Sequence, residues 1–210
     1  MVTGLERLRV KGVGHLRSLR YGTAIALVAV ASPAIGLTDP AISDYMARWD
    51  ASVRAIRAQR AGGDAKVLAA CLQILGWAFD LDAMAETASA GAWARMSPAQ
   101  QDRFESAFRR KIAGDCVSRA HDDRGQPMTV LGVRSNAKGE RLATAHVGFP
   151  DETGQNLTWR LHLAKDKTWR AIDLVVDGHS LVANERDKNA GVLQGSDGSI
   201  DALIMSVQAR

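Results

Sequence analysis

The segment TWRLHLAKDKTWRAIDLVVDGHSLVANER, residues 158–186, decides the fold of this chain. From Trp159 to Leu163 apolar residues alternate with polar ones, and this period of two predicts a strand with one buried face. Residues 165–167 are polar and too few for a parallel crossover. The segment from 168 to 177 is therefore predicted to return as an antiparallel strand, so that the two strands form a hairpin.

The second strand of the hairpin shows a break in its pattern. Ile172, Leu174 and Val176 alternate with polar or smaller residues and predict one apolar face. Trp169 is out of phase with these three residues, which predicts a β-bulge near Arg170-Ala171. We expect the apolar faces of the two strands to form a common floor.

The rest of the chain separates into helical and extended parts. Before residue 127, apolar residues recur every three or four positions and predict helices, the last of them starting with the capping box Ser97-Pro-Ala-Gln100. Two further strands are predicted at 128–133 and 141–149. After Gly178, helices are predicted to begin at Leu181 and near Ile200. This order predicts an α+β fold: N-terminal helices packed on a four-stranded antiparallel meander sheet, followed by two short C-terminal helices.

Residues 1–36 are predicted to be a cleaved signal peptide. The segment carries five Lys and Arg residues and then an apolar run at residues 23–31, followed by small residues suited to cleavage at 29–31 or 34–36. The run is too short for a permanent membrane span. We therefore expect a single domain at 37–210, located in the periplasm.

Cleavage would remove the net positive charge of the chain. The whole sequence has 27 Lys and Arg against 23 Asp and Glu, and residues 1–36 hold five of the former and one of the latter. Both totals for 37–210 are then 22 (27 − 5 and 23 − 1), which leaves no excess of positive charge for nucleic acid. Cys71 and Cys116 could form a disulfide in an exported protein, but both occupy apolar helical positions, and we expect them to be free and buried.

Catalytic signatures are absent from the sequence. It has no Gly-x-Ser-x-Gly, Walker, His-Glu-x-x-His, Cys-x-x-Cys or Gly-x-Gly-x-x-Gly motif. His162 alternates outward on its strand and is interpreted as a surface residue, and Asp173 and Asp177 as part of a polar face. The predicted helices and strands carry many apolar faces, and two interpretations are open for them. The faces form an ordinary filled core, or they enclose an apolar gap between the sheet and the helices that suits an acyl chain.

Several motifs together resemble the toluene-tolerance (MlaC) family of periplasmic phospholipid-binding transport proteins. They occur in family order from about residue 77 to 210. The segments are Phe79-Asp-Leu-Asp-Ala-Met-Ala85, Gly91-Ala-Trp93, Ser97-Pro-Ala-Gln-Gln-Asp-Arg-Phe104-Glu-Ser-Ala-Phe108, Trp169-Arg-Ala-Ile-Asp-Leu-Val-Val-Asp-Gly-His-Ser-Leu181 and Asn184-Glu-Arg186.

The resemblance implies a carrier that holds phospholipid between sheet and helices and is not an enzyme. It also implies two partners: an inner-membrane Mla-type ABC complex and an outer-membrane lipoprotein. No cofactor is expected, since the lipid is cargo. The residues that we expect to contact the lipid are Trp93, Phe104, Phe108, Ile112, Val133, Trp159, Leu161, Leu163, Trp169, Ile172, Leu174, Val176 and Leu181.

Four positions depart from the family pattern and leave alternatives open. Cys116 replaces a common tyrosine, Glu185 and Asn189 replace aromatic residues, and His179 replaces a small apolar residue. A hopanoid or another polycyclic lipid is therefore an alternative cargo. A second alternative is a cone-shaped α+β enzyme, which would need an inward-facing His–Asp pair drawn from His146, His162, Asp173 and Asp177. A purely structural domain with a filled core is the third.

Overall fold

The computed structural model describes residues 39–148 and 154–210, and the predicted signal peptide lies outside them. The helices within these ranges are α1 (Pro40–Ala58), α2 (Asp64–Ala78), α3 (Leu81–Ala88), α4 (Pro98–Asp122), α5 (Leu181–Gly195) and α6 (Ile200–Gln208), with 3-10 turns at Arg60–Gly62 and Trp93–Arg95. The strands are β1 (Met128–Ser135), β2 (Arg141–Val147), β3 (Gln155–Leu163), β4 (Trp169–Val176) and β5 (His179–Ser180). None of the described helices is long and apolar enough to cross a membrane.

The described strands form one antiparallel sheet in the order β1-β2-β3-β4-β5, which confirms the α+β prediction. The fifth strand is an addition to the predicted four. It forms because Asp177 and Gly178 both have positive φ, at 47° and 84°, and turn the chain back on itself. Ser180 then pairs with Val175, so the chain enters α5 from the edge of β4.

The hairpin of β3 and β4 contains the predicted bulge, slightly beyond its predicted place. Arg160 pairs with Asp173 and Leu161 pairs with Ala171, so Ile172 is the extra residue. The bulge shifts the alternation, and Ala171 is the residue buried opposite Leu161. The prediction that Ile172 shares one face with Leu174 and Val176 is therefore wrong.

Asp173 has a structural role that the sequence did not reveal. The side chain is almost fully buried. Its carboxylate accepts hydrogen bonds from Ser180 Oγ at 2.7 Å and from the backbone N–H of Val182 at 3.2 Å. Because a carboxylate stabilises the first turn of a helix, Asp173 fixes the start of α5 on β4. The polar-face interpretation of Asp173 was wrong.

The helices pack on the sheet through aromatic residues and the junction of α2 and α3. Trp49 of α1 contacts Trp159 of β3 edge to face, with ring centroids 5.3 Å apart. At the junction, Asp80 donates its backbone N–H to the carbonyl of Ala171 at 2.9 Å. The predicted capping box of α4 is present at Ser97 and Gln100. The first two contacts hold α1 and the junction of α2 and α3 against the hairpin.

Cys71 and Cys116 form a disulfide, so the expectation of free cysteines was wrong. Each residue lies on the apolar stripe of its helix, as expected. The stripes of α2 and α4 face each other, however, and bring the two Cα atoms to 6.0 Å, within the usual range for a disulfide. The sequence could not show that these two stripes meet.

Candidate ligand cavity

An apolar cavity of about 180 Å³ lies between the helices and β4. Trp49, Val53 and Ile56 of α1 form one side, and Ile74 and Leu75 of α2 form another. Ile112, Asp115, Cys116, Arg119 and Ala120 of α4 also line it, together with Phe79, Asp123, Leu174 and Leu181. The walls are almost entirely carbon, as in a site for an apolar ligand.

Two solvent-open grooves adjoin this cavity. The first lies between α4 and α5 and has a volume of about 430 Å³. The second lies between α1, the end of α4 and the sheet, and has a volume of about 480 Å³. Of the described residues, only Arg119 and Leu174 line the cavity and both grooves. The end of α4 and the end of β4 therefore form the opening of the cavity.

Ion pairs surround the opening. Arg57 of α1 donates to Asp123 at 2.9 Å, and Lys111 approaches Asp115 at 2.5 Å on the same helix. These pairs occupy most of the charged groups at the cavity rim. The rim is therefore polar, although the cavity behind it is apolar.

A charged cluster around the buried carboxylate of Glu185 lies beside the groove between α4 and α5. The Glu185 carboxylate lies 3.3 Å from Lys111 Nζ, 2.9 Å from Lys188 Nζ and 3.2 Å from Arg210 Nη1. Burial raises the pKa of Glu185, but the hydrogen bond from Lys188 and the charge of Lys111 outweigh it, so the pKa lies below its ordinary value. Arg210 also donates to Asn189 Oδ1 at 2.6 Å.

The structure brings only part of the predicted site together. Ile112, Leu174 and Leu181 line the cavity, and Val176 lines both grooves. The other nine predicted residues line none of these spaces. Five of them are buried in the core: Phe104, Phe108, Val133, Trp159 and Leu161. Three are partly buried, Trp93, Trp169 and Ile172, and the last, Leu163, is 49% exposed. Contact with lipid stays a prediction for the whole set.

Sequence reasoning missed most of the lining residues on the helices. Trp49, Val53 and Leu75 line the cavity and belong to the apolar periodicity that predicts helices before residue 127. Their periodicity could have identified them as buried. It could not show that the surface opposite them leaves a gap. Arg119 gave no signal at all, because a single cation near the end of a helix is common.

The residues of the enzymatic alternative lie away from the cavity. His162 Nε2 is 2.9 Å from Asp80 Oδ2, and His146 Nδ1 is 3.2 Å from Asn156 Oδ1. Neither histidine lines the cavity or its grooves. In the part of the chain that the structure describes, no three His, Cys, Asp or Glu side chains are grouped as metal ligands.

Known proteins share the fold and the sequence pattern of this chain. The chain resembles the phospholipid-binding protein from Ralstonia solanacearum, solved in complex with a phospholipid, with a TM-score of 0.67 and 15% identity over 81% of this chain and 94% of that chain. At this identity the likeness shows the fold alone. No curated protein matches the sequence. Residues 48–209 match the model of the MlaC protein family. Since the match spans most of the sequence, the chain belongs to the MlaC protein family.

Proposed function

We propose that this protein is a phospholipid carrier that holds acyl chains in the cavity between α1, α2, α4 and β4. The observation that carries the proposal is the carbon-lined cavity that continues into two grooves. An acyl chain can enter such a space with its polar end left at the rim. Membership of the MlaC family and the likeness to a phospholipid-binding protein support this assignment.

A carrier removes a large energetic barrier. At about 0.8 kcal/mol per buried methylene, two acyl chains cost on the order of 20 kcal/mol to expose to water. Free diffusion of a phospholipid through an aqueous compartment is therefore negligible. A protein that covers the chains and leaves the headgroup at an open rim provides a route.

The proposal extends to location and partners. The basic segment and apolar run of residues 1–36 support export to the periplasm. There the carrier would pass lipid between an inner-membrane Mla-type ABC complex and an outer-membrane lipoprotein. Family membership is the support for these two partners.

The departures from the family pattern give little reason to choose a polycyclic cargo. Glu185 and His179 line only the polar groove between α4 and α5. Asn189 lines neither the cavity nor either groove. Cys116 lines the cavity, but as half of a disulfide. We therefore keep acyl chains as the cargo, and a polycyclic lipid is one outcome of the test below.

Native mass spectrometry of protein purified from its own cell envelope tests the function. The folded chain is expected to carry lipid, and organic extraction is expected to release glycerophospholipid. A polycyclic lipid in the extract would change the cargo but keep the carrier. Repeatedly empty extracts from folded protein would overturn the carrier and favour a structural domain.

A further inference from the structure

We propose that Arg119 and Asp122 form a subsite for a zwitterionic phospholipid headgroup, with the phosphate on Arg119 and the ammonium on Asp122. The inference rests on the proposed function. It adds a preference for one class of phospholipid, which neither the cavity nor family membership assigns. The two side chains belong to the last turn of α4, where that helix borders the opening.

The position of the two residues fits the polar end of a lipid whose chains lie in the cavity. Arg119 lines the cavity and both grooves, and Asp122 lines both grooves. Residues three positions apart on a helix are neighbours on its surface, about 5–6 Å apart at Cβ. A phosphate and an ammonium joined by two carbons can therefore contact both side chains.

Among the described residues, Arg119 and Asp122 are the charged side chains of α4 at the opening that are not engaged in an ion pair. Asp115 is engaged by Lys111, and Asp123 is engaged by Arg57. Within 39–148 and 154–210, no hydrogen bond or ion pair occupies the side chain of Arg119 or that of Asp122. A ligand can bind them without breaking a native ion pair. A guanidinium suits phosphate because it donates two parallel hydrogen bonds.

The charge of Asp122 favours an ammonium over a purely anionic headgroup. Asp122 carries a negative charge beside the phosphate position, whereas the carboxylates of Asp115, Asp123 and Glu185 are already paired with Lys111, Arg57 and Lys188. An uncharged or anionic group beside the phosphate leaves Asp122 without a counter-ion, whereas an ammonium supplies one. His179 lines only the groove next to α5 and is not needed for the contact.

Uptake from mixed vesicles tests the subsite. Delipidated wild-type protein is incubated with vesicles of equal phosphatidylethanolamine and phosphatidylglycerol, separated from them, and its lipid is identified by mass spectrometry. We expect phosphatidylethanolamine to exceed phosphatidylglycerol about 1.5- to fivefold, the range for one exposed ion pair. Asp122→Asn should bring the ratio close to one, because uptake of phosphatidylethanolamine falls toward that of phosphatidylglycerol.

Substitution of Arg119 should act on both lipids. Arg119→Gln is expected to lower uptake of both phospholipids several-fold, and Arg119→Lys should restore part of it. Uptake of diacylglycerol, which has the chains but no phosphate, should be unchanged in both variants. Millimolar inorganic phosphate should not displace lipid, since it has no acyl chains. Arg124→Gln and Asp102→Asn, exposed residues outside the cavity and grooves, are matched controls.

The outcomes separate the subsite from the carrier function. Equal uptake of the two phospholipids by wild type, with no effect of Asp122→Asn, overturns the subsite and leaves the carrier intact. Displacement of lipid by phosphate alone would make Arg119 a site for free anions and would also overturn it. A folded wild-type chain that takes up no lipid at all, diacylglycerol included, overturns both proposals.

Discussion

The two halves of α4 carry one continuous apolar stripe but face different surroundings. In the amino-terminal half, Phe104 and Phe108 are fully buried in solid core. Arg103 and Arg109 there bind Asp201 of α6 and Asp82 of α3. In the carboxyl-terminal half, Ile112, Cys116 and Ala120 line the cavity. Periodicity therefore identifies a buried face, whereas the facing elements decide whether that face is core or cavity.

Truncation in the amino-terminal half should have the largest effect on stability. Phe108→Ala is expected to lower the free energy of unfolding by about 3–5 kcal/mol, because it leaves a void in packed core. Ile112→Ala, one turn further along, removes a side chain that already borders open space and should cost clearly less. Urea unfolding of the two variants measures this contrast. Equal losses would show that both halves are core.

The disulfide should be the main restraint on the carboxyl-terminal half. It joins α2 to α4 across 45 residues of the chain. For a loop of this length, the loss of chain entropy in the unfolded state predicts a stabilisation of about 4 kcal/mol, and measured disulfides typically contribute about 2–4 kcal/mol. The Cys71→Ala/Cys116→Ala double variant should lose this amount, and reductant should lower the unfolding midpoint of wild type alone. A wild-type midpoint that does not respond to complete reduction would contradict this role.

Glu185 should contribute less, and in a pH-dependent way. Glu185→Gln leaves the buried end of Lys111 with a weaker partner and should cost about 1–3 kcal/mol near neutral pH. The pKa of Glu185 is lower in the folded chain than its ordinary 4.5. Its stabilisation is therefore complete above that value and is lost as the pH falls through the folded pKa. Unfolding measured from about pH 6 to pH 3 should show wild type losing more stability than Glu185→Gln.

Glu105, in the amino-terminal half of α4, is a control of opposite sign. Burial and the charge of Asp82 raise its pKa. The folded chain therefore binds the proton of Glu105 more tightly than the unfolded chain does, and the wild-type free energy of unfolding falls as the pH rises through the titration of Glu105. Glu105→Gln removes the carboxyl group and should remove this loss of stability. An identical pH profile for the Glu105 and Glu185 variants would contradict both assignments.

The sequence predicted the order of elements well because each signal was local. The alternation at 159–163, the Ser97 capping box and the helical stripes depend on neighbours along the chain. The errors concerned contacts between different helices and strands. Ala171 replaced Ile172 on the buried face through a bulge set by pairing with β3. The Cys71–Cys116 disulfide and the ion pairs of Glu185 depend on which helices meet. A single sequence does not contain that information.

The smallest effect on stability, and the most specific one on function, is expected at Leu174. This side chain lies opposite Trp159 in the sheet register and lines the cavity and both grooves. Leu174→Trp adds volume where space already exists, so the thermal midpoint should change little. The same added volume occupies the site and should expel bound lipid. Lipid content is measured by extraction and mass spectrometry.

Leu161→Trp on the adjacent strand is the matched control. Leu161 is fully buried and lines none of these spaces, so the larger side chain has to displace packed neighbours. Such overpacking costs about 1–3 kcal/mol or more. The Leu161 variant should therefore lose stability first and lipid only as it unfolds, whereas the Leu174 variant should lose lipid while it stays folded. If Leu174→Trp keeps its lipid, or loses it only on unfolding, the acyl chains lie elsewhere and this end of β4 is core.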